Sequence, residues 1–201
     1  MSDAPETGTD TGRPGPEERL RERMVDDETI QRREQALLQI RRFGDPALKA
    51  RAVEVTAFDE ALEVEAARMA ELMNDALGIG LAATQLGQMR RMLVFQSNPD
   101  APVTTLVNPR VGRASEETEW GAEGCLSIPG IVVDVERPLF VEVNAIDERG
   151  SELRIEAAGL EARVLQHEID HLDGVLMIDR APREERREAI RAWRERTAAA
   201  D

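Results

Sequence analysis

Apolar positions recur in two rhythms along the chain. Leu62, Ala66, Met69, Leu72, Met73 and Ala76 stand three or four apart, the spacing of one helix face, and the helix they predict ends near Gly78. Thr56, with Asp59 three residues later, predicts where it starts. After the glycine-rich GIGLAATQLG come short β-type runs: Met92 to Gln96, Thr104 to Asn108, Ile131 to Glu136, Phe140 to Ile146 and Glu152 to Ile155. Turn residues such as Asn98-Pro99-Asp100 and Asp147-Glu148-Arg149-Gly150 separate several of them, which predicts antiparallel sheets. The helical rhythm then returns in Leu160, Val164, Leu165, Ile169 and Leu172, from about Gly159 to a stop at Asp173-Gly174. Past the short run Val175 to Ile178, REERREAIRAWRERTAAA predicts a charged helix docked through Ile190 and Trp193.

The ends differ from this middle. From Met1 to about Asp27 the chain is rich in Pro, Gly, Thr, Asp and Glu and has almost no large apolar residue, so it cannot repay the entropy of ordering. ETIQRREQALLQIRR, Glu28 to Arg42, predicts a short helix leading into the domain, and Phe43-Gly44-Asp45-Pro46 a turn. The domain plan is a mobile acidic tail over 1–35, a catalytic domain over 36–180, and a C-terminal helix and tail over 181–201. A helix, then many strands, then helices predict an α+β fold rather than an alternating one.

Composition narrows the function. Asp and Glu number 40 against 26 Lys and Arg, a formal charge of −14, which argues against a surface that grips a nucleic-acid backbone or reads a nucleic-acid sequence. No run approaches the length of a membrane span, and MSDAPETGTD lacks the basic and apolar parts of a signal peptide, so a cytoplasmic protein without a membrane partner is expected. Cys125 is the single cysteine and cannot form an internal disulfide. Tyr is absent and aromatics total 3%, so the core must be aliphatic.

The two histidines, His167 and His171, stand four apart in His167-Glu168-Ile169-Asp170-His171. On a helix both rings leave the same face one turn apart and can reach one metal ion, with Glu168 leaning toward water there. Random placement gives this spacing roughly 1% of the time, so the plainer alternative, two solvated histidines, is disfavoured. The fold expected is therefore antiparallel sheets packed around a central helix that bears this HExxH sequence, with a C-terminal helix. A catalytic ion of this kind takes three protein ligands and leaves a position open. No third histidine exists. Glu184, Glu185 or Glu188 downstream would complete a protease-like site, whereas Cys125 would complete a thiolate site. The setting of Cys125, Glu123-Gly124-Cys125-Leu126-Ser127-Ile128-Pro129-Gly130, suits a shaped segment beside a strand and favours the thiolate, though a buried small hydrophobe stays open.

The segments GIGLAATQ, EGCLSIPG and QHEIDHLDGVL together resemble the three motifs of peptide deformylases, in the same order. With FGDPAL and the VNP of Val107 to Pro109, the resemblance runs from about Ile40 to Arg180. It implies removal of the formyl group from the N-terminal methionine of newly made proteins. It further implies one divalent ion on Cys125, His167 and His171, with Fe(II) native and Zn, Ni or Co able to substitute; ligand softness alone suggests zinc. Glu168 is implied as the general acid and base, and the Gln85 amide with the Leu126 backbone N–H as oxyanion donors. Gly78, Gly80 and Gly124 would let the backbone meet a bound peptide, while Ile79, Leu160 and Val164 would line the methionine pocket, with Arg163 near the same helix face. N-formyl-Met nascent chains are the expected partners, and a transient ribosome contact is a further expectation. The rivals are an endopeptidase with a downstream Glu ligand and a protein whose metal is only structural.

Overall fold

The structure, a computed structural model, describes residues 27–198. Helix α1 (Asp27–Gln39) leads to a 3-10 turn (Pro46–Lys49) and helix α2 (Glu60–Asp75). Strand β1 (Gly80–Ala82), a second 3-10 turn (Ala83–Leu86), β2 (Met92–Phe95), β3 (Thr104–Ala114), β4 (Thr118–Gly124), β5 (Val132–Pro138), β6 (Phe140–Ile146) and β7 (Glu152–Ala158) follow. Helices α3 (Gly159–Leu172), α4 (Met177–Arg180) and α5 (Arg183–Ala198) complete the order. Five strands form an antiparallel sheet in the order β1-β2-β3-β6-β7, and β4 pairs with β5 as a separate hairpin. This is the α+β architecture that the spacing predicts.

Helix α3 lies against the five-stranded sheet, with Ala162, Leu165 and Leu172 packed on Leu93, Leu106, Val141 and Val143. Each fully buried Leu or Val among them contributes about 1.5–3 kcal/mol through the water it leaves. Helix α2 covers β1 and β2 with Leu62, Ala66, Met69 and Met73. A third cluster joins the β4–β5 hairpin to α4 and α5 through Val133, Val135, Leu176 and Ile178, with Trp193 packed against it. The metal-motif helix therefore sits between sheet and hairpin, which fixes it on two sides.

Several expectations need correction. Helix α2 starts at Glu60 rather than from Thr56: Asp59 is extended and its carboxylate accepts the Leu62 N–H at 3.1 Å. Its end is a Schellman motif in which Leu77 takes the left-handed conformation (φ 57) and Gly78 N–H reaches Met73 O at 2.9 Å. The run Val175 to Ile178 ends in the short helix α4, whose start is held by Asp179 accepting the Leu176 N–H at 2.9 Å. Strand β3 continues beyond Asn108-Pro109 through a register shift. There Asn108 is left-handed (φ 53) and grips Val55 through both ends of its amide, at 2.9 and 2.8 Å. Strand β4, TEWGAEG, carries no apolar alternation and was not expected.

The tail expected over 1–35 lies outside the described residues as far as residue 26. Its last part is helical, as the run Glu28 to Arg42 predicts: α1 begins at Asp27 and anchors through Ala36 and Leu37 in the α2 cluster. The final residues, 199–201, also lie outside the described residues. No helix among the described residues is long and apolar enough to cross a membrane.

Candidate metal centre and active site

His167, Glu168 and His171 project from α3, while Cys125 follows directly on the end of β4, so helix and hairpin meet at the site. The histidine rings lie edge to face with centroids 4.9 Å apart. Cys125 Sγ is 3.2 Å from His171 Nε2. Among the described residues, Cys125, His167 and His171 are the group whose ligand atoms converge closely enough for one ion, all within 4.8 Å of one another. Burial opposes ionisation of Cys125, but His171 and His167 beside it outweigh this and hold the thiol well below its usual value. The site is built to present a thiolate.

The His167 Nδ1 is 2.9 Å from Glu123 Oε2, so Nδ1–H donates to that carboxylate and the Nε2 lone pair faces the candidate metal position. Glu123 is held in turn by Arg137, whose Nε and Nη2 reach its two oxygens at 2.9 and 3.0 Å, and by Arg163 Nη1 at 3.0 Å. Arg137 continues to Asp170 Oδ2 at 2.5 Å, and Arg180 takes both Asp170 oxygens at 2.8 and 2.6 Å. Each buried charge in this chain meets an opposite one, the condition on which buried ions are tolerated.

Glu168 is buried and its Oε2 has no hydrogen-bond partner among the described residues. Burial raises its carboxyl above the usual range, although His167 and His171 pull the other way. That is the setting of a carboxylate able to take and return a proton. Gly80 lies directly over it: a Cβ there would fall 2.4 Å from Glu168 Oε1. Gln85 is also buried, and its Oε1 accepts the Ala82 N–H at 2.9 Å. This fixes the amide so that Nε2 faces Ser127 Oγ at 3.2 Å and Cys125 Sγ at 3.7 Å. A neutral donor is thus aimed at the thiolate end of the cavity.

The cavity in front of these groups measures about 440 Å³, within the range of small-ligand pockets. A sequence model of polypeptide deformylases matches residues 37–187. The chain belongs to the polypeptide deformylase family. The peptide deformylase of Natranaerobius thermophilus is 47% identical over 146 residues, which are 73% of this chain and 93% of that protein. That of a Parafrankia species is 44% identical over 156 residues, 78% of this chain and 85% of the relative. Among solved structures, the Thermotoga maritima peptide deformylase superposes with a TM-score of 0.69 at 44% identity, covering 71% of this chain and 96% of that one. A peptide deformylase from Synechococcus elongatus, in complex with actinonin, gives 0.73 at 42% identity over 76% of this chain and 85% of that one. Peptide deformylases are metal-dependent hydrolases that remove the N-formyl group from nascent polypeptides.

Against the deformylase motifs, the residues nominated from sequence fall as follows. Gly78, Ile79, Gly80 and Gln85 line the cavity from the β1 side; Gly124, Cys125 and Leu126 line it from the hairpin; Leu160, Val164, His167 and Glu168 line it from α3. His171 stands against Cys125. The protease-like alternative is not assembled: Glu185 on α5 accepts the Asp134 N–H at 2.7 Å, and Glu184 pairs with Arg187. Sequence reading gave no role to Glu123, Arg137, Asp170 or Arg180, although Glu123 and Asp170 lie inside the quoted motifs. It also passed over the strap that backs both oxyanion candidates. Arg41 N–H donates to Gln85 O at 2.7 Å, Arg42 Nη1 to Leu126 O at 3.3 Å, and Phe43 N–H to Ser127 O at 2.9 Å.

Proposed function

We propose that this deformylase works at the cavity beside Cys125, hydrolysing the formamide of an N-terminal formyl-methionine. Cys125, His167 and His171 hold one divalent ion. A sulfur 3.2 Å from an imidazole nitrogen suits metal bonds of about 2.0–2.3 Å, and the thiolate with two imidazoles suits a borderline-soft cation. Fe(II) is the native ion on the family resemblance, with Zn, Ni or Co able to replace it. When bound, such an ion supplies Lewis acidity that makes water reactive near neutral pH.

The chain's own residues do the rest. Glu168 takes the proton from the attacking water as its oxygen joins the formyl carbon. Gln85 Nε2 and the Leu126 N–H donate to the oxyanion that forms. When the C–N bond breaks, Glu168 returns the proton to the departing amine, and formate leaves. The methionine side chain enters between Ile79, Leu160 and Val164, while backbone at Gly78, Gly80 and Gly124 pairs with the peptide as an added strand. The cytoplasm is the place of action, and nascent chains are met through transient contact with the ribosome.

The observation that carries this reading is the fixed Gln85 amide, a donor 3.7 Å from the Cys125 sulfur that a purely structural metal site would not require. The test is formate release from a formyl-Met peptide by anaerobically purified protein with its metal quantified. Glu168→Ala keeps the metal and loses about 10²–10⁴-fold in turnover. Formate release by that variant at the parent rate would overturn the assignment.

A further inference from the structure

Helix α1 supplies Arg33 and Leu37 to the cavity wall, yet the family match begins only at residue 37. This wall is firmly seated. Ala36, Leu37 and Ile40 are buried against Leu62, Met69 and Met73. Arg68 of α2 donates to Gln39 Oε1 at 2.9 Å, and the Arg42 guanidinium bridges Leu37 O at 3.2 Å to Leu126 O at 3.3 Å. Residues four apart share a helix face, so seating Leu37 brings Arg33 to the same cavity one turn earlier.

The neighbouring Arg32 pairs with Asp75, whereas exposed Arg33, on the cavity side, has no carboxylate partner among the described residues. Arg163, also on the cavity wall, is spent on Glu123 and on the carbonyls of Glu119, Gly121 and Val135. Glu123, a carboxylate of the same wall, is spent too, on Arg137, Arg163 and His167. Arg42 does not line this cavity and its guanidinium is held by the Leu37 and Leu126 carbonyls, so Arg33 is the cation left to meet an anion there.

We infer that Arg33 is a specificity-determining residue, favouring formyl-methionyl chains that carry an acidic side chain in the first few positions after the methionine. The inference rests on the deformylase reading of the cavity. The chain's overall charge of −14 acts the other way at long range. At about 0.15 M salt that field decays within roughly 8 Å, whereas a contact pair is screened less. The preference is therefore local and belongs to the wall of α1.

The experiment measures kcat/KM for full-length, metal-loaded protein and its Arg33→Gln and Arg33→Glu variants. The peptides are formyl-Met followed by three alanines, and the same peptide with Asp or Lys at each alanine position in turn. The readout is the Asp-to-Lys ratio within one protein, which cancels any loss of folded or loaded enzyme. The parent is expected to favour Asp by about two- to fivefold at one position at least, the range of an exposed ion pair. Arg33→Gln brings that ratio near one, and Arg33→Glu inverts it. A ratio near one in the parent, or one that stays the same in all three proteins, overturns the inference. No formate from the all-alanine peptide with the parent protein overturns the deformylase reading itself, and the inference with it.

Discussion

Replacing Gly80 by Ala adds one methyl group at the point where strand β1 passes over the Glu168 carboxylate. The new Cβ would lie 2.4 Å from Oε1 and 2.8 Å from both Cδ and Cγ. To reach 3.0 Å, below which real Cβ contacts essentially never fall, the oxygen must retreat by about 0.6 Å. Because Cγ is crowded as well, rotation of the carboxylate alone gives no relief, and the whole side chain must swing. Gly80 is not among the positive-φ glycines, so alanine is acceptable to its backbone and the effect is confined to this contact. Overpacking of this kind costs about 1–3 kcal/mol of stability. Moving a reacting group by a sizeable fraction of an ångström costs up to about 10²-fold in rate. The expectation is a kcat lowered by about 10- to 100-fold, metal content unchanged and a Tm lower by several degrees. Initial rates of formate release, with metal per chain and a thermal melt from the same preparation, decide it. A variant with kcat within twofold of the parent would mean that Glu168 is not held where the reaction needs it.

Two shorter tests address the ligands and the oxyanion donors. Cys125→Ala is expected to lose tight metal binding and activity together, read by metal content after dialysis; full retention of the ion would return the third-ligand question to the α5 glutamates. Gln85→Leu removes the Nε2 donor while nearly preserving volume, so kcat should fall by about 10²–10³-fold with KM little changed; an effect on KM alone would place Gln85 in ground-state binding.

The sequence carried the helices α2 and α3 because their apolar residues keep a strict three-and-four spacing, and it narrowed the candidate ligands because only two histidines exist, leaving Cys125 or a downstream Glu as the third. Strand β4 was illegible for the opposite reason. Its partner β5 buries Val133 and Val135, but β4 itself is Thr, Glu, Trp, Gly and Ala, held by pairing with β5 rather than by its own pattern. The tail boundary at residue 35 came from composition, and α1 forms because Ala36, Leu37 and Ile40 are buried against α2 from far along the chain. The ion chain behind His167 was invisible as well. Glu123, Arg137, Asp170 and Arg180 come together only when β4, β5, α3 and α4 assemble, and an isolated Arg in a strand reads as a solvated charge until that happens.

That ion chain can be tested through its dependence on pH. Burial works against an ionised Glu123, but the paired bonds from Arg137, helped by His167, hold its pKa at about 2 against an ordinary 4.5. Arg137 owes nothing to the metal, so its share of this effect persists whether or not His167 is ligated. Between the two values the unfolded chain binds the proton that the folded chain refuses, so stability rises with pH across that window. The contribution, of the order of 3 kcal/mol, is complete above about pH 4.5 and disappears as the pH falls toward 2. Glu123→Gln keeps an acceptor for the His167 N–H but removes one of the two buried carboxylates that pair with Arg137, leaving Asp170 as the other, a loss of up to about 3 kcal/mol near neutrality. Urea unfolding of both proteins between pH 7 and pH 3 should therefore show a gap that is constant down to about pH 5 and narrows below it. A gap that does not change with pH would mean that Glu123 acts through shape alone. The arginine chain would then be packing around the histidine rather than the charge that orients it.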